Sequence, residues 1–395
     1  MGKNAKRAAF IGIGEVPTGR FPETAAIYHA IESAKLAIRD AGIDKDEIDY
    51  VMPTASLYSP AFNTELVTCR IVEELGLKNV NKNCQVFAGG SSSSCALQLA
   101  SSLIETGKAK TVLFVHADRL GTGVTAQGGI DLFSTAGISA EWEVPFGQHY
   151  SAIAALATNR YKFETGCTDE ELSAVCVSNR KWARLNPNAF FNKKDITIEE
   201  VMASKMLSTP LRAKQSNMLF DGGGAFVLTS AERAPDLCPR PVYILGEGGT
   251  VTHFVYSQEP DVSRFGWAKA GKKAFEEAGL TPKDMDVAEI YDSYPIYQMI
   301  GLEELGFCER GEAGKLFVSG DTWPGGRLPC TTNGGMLSQG HTGAGGAVAL
   351  LIEAVRQLMG KAGDRQVRDA RFAVETATGG TYMDAQVTVL GTEIP

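Results

Sequence analysis

The sequence predicts an α/β chain built from two similar halves, and three observations carry that prediction. Strand-like and helix-like stretches alternate from residue 8 to residue 118, the pattern of a largely parallel sheet covered by helices. Residues 37–49 line up without gaps against residues 274–286: each is the end of an amphipathic helix, a glycine (Gly42 or Gly279), an acidic turn and the entry to a strand. A helix over 91–106 followed by a strand over 111–118 is matched by a helix over 343–358 followed by a strand over 371–376. One such match is within reach of generic composition; two in the same order indicate internal duplication.

Each element has a local reason. Residues 8–14 read as a first strand, and apolar residues recur at helical spacing over 25–41 until Gly42, a residue suited to the left-handed turn that ends a helix. A strand over 48–53, a helix over 62–76 and a strand over 80–87 follow, then Gly89, Gly90 and the helix 91–106. The apolar run within 111–118 marks a buried strand. Residues 119–215 are an insertion with helices near 151–162, 169–184 and 197–205, and an insertion of that length commonly covers a site. The expected organisation is therefore 1–118 with 216–235 as the first half, 119–215 as a loop domain and 236–395 as the second half. Pseudo-symmetric packing would bring the helix N-termini near Ser91 and Gly343 to one pocket, where free N–H groups favour thiolates and oxyanions.

Composition narrows the class. The 395 residues are 44% hydrophobic with 43 glycines, as expected of a packed α/β enzyme with many tight turns. A net charge of −8 without a basic run argues against nucleic acid. No window approaches 18 apolar residues, so no membrane span is expected, and the basic N-terminal stretch lacks the apolar core of a signal peptide. The eight cysteines are scattered, with no Cys-x-x-Cys pair, which points to no metal site and to a reducing cytoplasm.

Two stretches carry chemistry. Gly340-His341-Thr342-Gly343 delivers a histidine through a glycine-rich turn to the start of a helix. There a ring that can gain or lose a proton near neutral pH suits carbonyl chemistry. Glu289-Ile290-Tyr291-Asp292-Ser293-Tyr294 places two tyrosines close together, and a buried tyrosine hydroxyl needs a partner, which a substrate oxygen supplies.

Across nearly its whole length the chain resembles the thiolase superfamily, and within it the sterol-carrier-protein-type thiolases. Asp221-Gly222-Gly223-Gly224-Ala225 is similar to the family's Asp-Gly-Ala-Ala strand, Gly340-His341 to its Gly-His-Pro motif, and Glu289–Tyr294 to its Asn-Glu-Ala-Phe or His-Asp-Cys-Phe segment. The resemblance implies duplicated βαβαβαββ halves in a five-layered αβαβα arrangement with an inserted loop domain. It also implies chemistry on acyl-CoA thioesters, with coenzyme A as co-substrate. The leading expectation is thiolytic cleavage of a bulky β-ketoacyl-CoA by a thiolase-type acyltransferase. Cysteine-independent retro-aldol cleavage of a β-hydroxyacyl-CoA, and a non-catalytic CoA-ester-binding homologue, stand as alternatives.

Departures from the family pattern keep the nucleophile open. The ungapped register puts Gly90 where a thiolase has its cysteine; Cys84 lies in Asn81-Lys82-Asn83-Cys84, similar to the family's Asn-Asn-Asn-Cys, and Cys95 lies one turn into the helix. Tyr291 stands where the family has Asn or His, and Ser293 where it has an acid/base cysteine. The final loop, Thr378-Gly379-Gly380-Thr381-Tyr382-Met383, lacks the second cysteine. Cys84, His341 and Tyr291 are the expected catalytic residues; Gly90, Ser91, His149, Ser293, Tyr294, Gly343 and Gly380 are expected to bind substrate or CoA. The resemblance further implies a homodimer joined near strand 111–118, and a small OB-fold zinc-ribbon subunit completing a heterotetramer.

Overall fold

The computed structural model describes residues 7–54, 67–135, 137–382 and 384–395. Nine strands form one mixed sheet: β1 (Ala8–Glu15), β2 (Tyr50–Pro53), β3 (Lys82–Asn83), β4 (Thr111–Arg119), β5 (Asp221–Ser230), β6 (Val242–Val251), β7 (Val287–Glu289), β8 (Phe372–Ala377) and β9 (Asp384–Gly391). Their spatial order is β3-β2-β4-β5-β1-β6-β9-β8-β7. The run β2-β4-β5-β1 is repeated as β7-β8-β9-β6: parallel, antiparallel, antiparallel in both, with β1 and β6 joined antiparallel at the seam.

The duplication read from residues 37–49 and 274–286 is thus a repeat of structure. Helix α1 (Ala26–Ala41) ends where Gly42 turns left-handed (φ 66°) and bonds back to the Arg39 carbonyl. The helix over Trp267–Ala278 likewise ends at a left-handed glycine, Gly279 (φ 69°), whose N–H bonds back to the Phe275 carbonyl. Each is followed by a 3-10 turn, Lys45–Glu47 or Pro282–Asp284, and then by β2 or β7. Helix α1 buries Ile27, Ala30, Ile31, Ala34, Ala37 and Ala41, one stripe at helical spacing, against β1, β4 and β5. Across β4 and β5, Phe114 lies directly opposite Phe226, with rings stacked 4.4 Å apart.

The layers follow from which helices touch which strands. Helices α2 (Val67–Leu75) and α1 flank the first half, and the 267–278 helix covers β6 and β9. Helix α3 (Ser92–Glu105) and the C-terminal helix over Gly346–Leu358 pack on each other and on strands of both halves. That is the expected αβαβα arrangement, with the α3 pair as its middle layer. The loop-domain helices α4 (Tyr150–Thr165) and α5 (Asp169–Arg184) pack with the second half's core; α5 opens on a capping box between Thr168 and Glu171. No helix among the described residues is long and apolar enough to cross a membrane.

Four expectations change in detail. Strand 80–87 contracts to Lys82–Asn83, and pairing is interrupted at Cys84 before a single further bridge from Val86 to Thr54. Helix 343–358 begins at Gly346, because Gly343–Gly345 form a 3-10 turn first. The helix placed over 62–76 is present over 67–75, and its first five positions lie outside the described residues. Strand β4 lies inside the sheet, between β2, which pairs with Val112–Val115, and β5, which pairs with Thr111–Arg119, so it is not an edge strand. The open edge of the first half is β3.

Candidate active site

A cavity of about 910 Å³ opens where the two halves and the loop domain meet. Its floor is made of loops that leave matching places in the repeat: 88–90 before α3, 291–294 after β7, 341–343 before the 346–358 helix, and 378–380 after β8.

His341 is buried at this floor and is held as though in a strand, its N–H donating to Met218 (3.0 Å) and its carbonyl accepting from Phe220 (2.9 Å). Its Nδ1 accepts the backbone N–H of Gly343 at 2.9 Å. A ring nitrogen that accepts carries no proton, so the neutral ring has its hydrogen on Nε2. Burial, and then the nearby His116, lower the pKa of His341 to about 4. The residue is therefore a neutral hydrogen-bond donor at physiological pH. His116 on β4 supports it from behind, donating from Nε2 to the Thr342 carbonyl at 3.1 Å; burial lowers its own pKa to about 4 and keeps it neutral.

Tyr291 is brought to the same floor by its backbone N–H, which donates to Thr376 on β8 (2.9 Å). Its hydroxyl has no protein partner among the described residues and meets the backbone of Gly90: a Cβ on Gly90 would stand 2.7 Å from Tyr291 Oη and 2.5 Å from the Thr378 carbonyl. Burial first, and then the nearby Tyr150, Asp292, Asp384 and Tyr294, push the Tyr291 pKa well above the usual phenol value, so the hydroxyl keeps its proton. The next residue anchors the segment. Asp292 accepts from Asn179 of α5 (2.7 Å), Met336 N (2.8 Å) and Leu337 N (3.2 Å), and burial raises its pKa to about 7 against those bonds. Gly335 has to be glycine beside it, since its φ is 62° and a Cβ would fall 2.0 Å from Asp292 Oδ2.

Of the expected binding residues, Gly90, His149, Ser293, Tyr294, Gly343 and Gly380 line the cavity. The Tyr294 hydroxyl is engaged by Ser151 (2.8 Å) and Ser216, which leaves it a wall rather than a free acid. Ser91 stands behind the lining: its hydroxyl bonds Ala88 and Asp384 instead of capping α3. Asp384 in turn accepts the Gly379 N–H, so one carboxylate ties the α3 entry to the 378–380 loop.

Cys84 is not brought to the cavity. It is half-buried beyond the end of β3, hydrogen-bonded to Tyr50 and packed against the first half's core. Cys95 also lies outside the lining, and burial raises its pKa to about 11. None of the eight cysteines lines the cavity. Sequence reasoning missed Tyr382, which lines the cavity with its hydroxyl 3.2 Å from Ser293 and its ring tilted against Tyr297 at 3.8 Å between centres. The available sequence signal was its place in the glycine-containing 378–382 loop; its φ of 63°, strained for a residue other than glycine, shows only in the fold.

Comparison with known proteins identifies the family. Residues 248–392 match the family model described as a thiolase C-terminal domain-like unit. An acetyl-CoA acetyltransferase of Methanothermobacter thermautotrophicus is 30% identical over 381 residues, covering 96% of this chain and 98% of the relative. The chain belongs to the thiolase family. A second member, the 17-hydroxy-3-oxo-4-pregnene-20-carboxyl-CoA lyase of Mycobacterium tuberculosis, is 31% identical over 366 residues, 90% of this chain and 92% of that one. Among solved structures, an Ltp2-ChsH2(DUF35) aldolase superposes with a TM-score of 0.84 at 28% identity, covering 99% of both chains. This thiolase-family chain is thus similar at once to acyl-transferring and to carbon–carbon-cleaving relatives.

Proposed function

We propose that this protein cleaves the Cα–Cβ bond of a β-hydroxyacyl-CoA by a retro-aldol reaction that uses no cysteine nucleophile. The observation that carries the proposal is the close approach of Gly90 to the Tyr291 hydroxyl: at the position that the sequence register assigns to a thiolase's cysteine, this floor has backbone and a phenol. The lyase and aldolase relatives support the same reading.

The chemistry fits neutral groups. In a retro-aldol step the β-hydroxyl loses its proton, the Cα–Cβ bond breaks to give a carbonyl product, and the electron pair is left as a thioester enolate that takes up a proton at Cα. The net change is one proton moved from oxygen to carbon. Tyr291, and Tyr382 linked to Ser293, hold their protons and so act as a relay, accepting from the β-hydroxyl while passing a proton towards Cα. His341 donates Nε2–H to the thioester oxygen as negative charge develops there; a preorganised donor of this kind is worth about 10²–10³ in rate. Such an assignment makes His341 an oxyanion donor rather than a base.

Two further parts of the reading concern assembly. A homodimer joined through the open β3 edge, and a small partner subunit like that named in the Ltp2-ChsH2(DUF35) structure, would complete the enzyme. The test of the reaction is product analysis by mass spectrometry with a panel of tertiary β-hydroxyacyl-CoA and β-ketoacyl-CoA esters, with and without free CoA. A shortened acyl-CoA and a free carbonyl compound, formed without added CoA, are expected. Turnover of the β-keto esters alone, dependent on CoA and passing through an acyl-cysteine, would overturn the proposal in favour of thiolysis.

A further inference from the structure

Among the described residues lining the cavity there is one lysine or arginine, Arg20. Backbone pairing fixes its place, because Gly19 bridges to Asp221 at the start of β5. Its Nη1 donates to the Gly121 carbonyl at 3.2 Å, and its guanidinium carbon stands 5.8 Å from the centre of the Phe220 ring. Neither contact neutralises the charge. The acid fixed to the same bridge, Asp221, spends its oxygens on the N–H groups of Phe21, Gly121 and Thr122 and on the Thr122 hydroxyl. The one carboxylate in the lining, Asp384, is engaged by Ser91 and Gly379. Among the described residues Arg20, an exposed side chain at the cavity lining, forms no ion pair.

We infer that Arg20 binds an anionic oxygen group of the substrate, a carboxylate on the acyl part or a phosphate of the CoA carrier. The inference rests on the acyl-CoA reading above. A guanidinium anchored by one nitrogen to a carbonyl and resting on an aromatic ring keeps its remaining N–H groups for a planar, two-oxygen partner. The carboxylate is the favoured source. The Phe220 ring under Arg20 also backs Gly340, with a Cβ there 2.5 Å from Phe220 Cδ2, so the charge sits one ring from the His341 loop. The phosphates of CoA lie a full pantetheine arm from the reacting thioester.

The experiment measures binding of glutaryl-CoA, pentanoyl-CoA and CoA itself by titration calorimetry to the wild type, Arg20→Gln and Arg20→Lys. Tm checks that each variant is folded. The expected result is a loss of roughly 10- to 100-fold in glutaryl-CoA affinity for Arg20→Gln, the size of a charge-assisted pair, with pentanoyl-CoA and CoA within about twofold of wild type. Arg20→Lys should recover part of the loss. An equal loss for all three compounds would keep the anion site and assign it to a phosphate. Unchanged binding of all three by Arg20→Gln, or a loss confined to pentanoyl-CoA, overturns the inference alone. Failure of all three to bind the wild type removes the acyl-CoA reading, and this inference with it.

Discussion

The Cα of Gly90 faces the hydroxyl of Tyr291 so closely that a methyl group on Gly90 would lie 2.7 Å from that oxygen and 2.5 Å from the carbonyl of Thr378. The space beside Gly90, the position that the family register assigns to a cysteine, is therefore filled from the opposite half of the repeat. Gly90→Cys is expected to fail as an installed thiolase: the side chain has to displace a backbone carbonyl, a cost of about 1–3 kcal/mol for overpacking, and turnover should fall together with Tm. Adding Tyr291→Phe relieves the hydroxyl contact but leaves the Thr378 carbonyl, so Tm should recover only in part. A Gly90→Cys enzyme that gains CoA-dependent cleavage of a β-ketoacyl-CoA would remove the argument.

Cys84 offers the complementary test. Its sulfur is taken up by Tyr50 and the first half's core, outside the cavity lining. Cys84→Ser should keep turnover within about twofold and lower Tm slightly, since a hydroxyl replaces a soft, half-buried sulfur. Intact-mass measurement after incubation with acyl-CoA should find no adduct on the Cys84 peptide. An acyl group there, or loss of activity in the serine variant, would restore the thiolytic mechanism.

The protonation of His341 gives a pH prediction. Its pKa of about 4 lies below the ordinary histidine value of 6.5, so between those values the unfolded chain binds a proton that the folded chain refuses. Its contribution to stability is full above pH 6.5 and is lost as pH falls towards 4; His116 acts in the same sense. In activity, kcat/KM should show no group titrating near 6.5 that disappears in a His341 variant. His341→Ala should lower kcat by about 10²–10³ with little change in Tm at pH 7.5. A histidine-type ionisation near 6.5 that the variant abolishes would make His341 a base.

Much of this was legible in the sequence because the signals were local. A helix end, a glycine C-cap, an acidic turn and a strand entry fit within 13 residues, so their recurrence at 37–49 and 274–286 exposed the repeat. The glycine setting of His341 was likewise contiguous. What stayed hidden depends on contacts between distant segments. Gly90 meets Tyr291 across the two halves, and Tyr382 is placed by rings at Phe265 and Tyr297. The Asn81–Cys84 string looked like a nucleophile's setting, but the strand ends at Asn83 and the following loop turns Cys84 towards Tyr50. Ser91 was placed correctly at the start of α3, yet its hydroxyl is spent on Asp384, nearly 300 positions away.

That last pair supplies a test of how the floor is assembled. Asp384 accepts from the Ser91 hydroxyl and from the Gly379 N–H, and thereby holds the 378–380 loop, which lines the cavity, against the entry of α3. Burial raises the pKa of Asp384, so its charged form is disfavoured in the fold and its stabilising effect comes from shape and acceptance rather than from charge. The sign follows: a folded pKa above the unfolded one means any contribution from ionisation is lost as pH rises through the folded value. Asp384→Asn keeps an acceptor for Gly379 and removes the buried charge, so Tm and kcat should stay near wild type. Asp384→Ala leaves the Gly379 N–H without this partner, a cost of about 1–3 kcal/mol, while the Ser91 hydroxyl keeps the Ala88 carbonyl; the change should lower Tm and raise KM as the loop moves. Wild-type Tm and KM in Asp384→Ala would show that the loop is held by something other than this carboxylate.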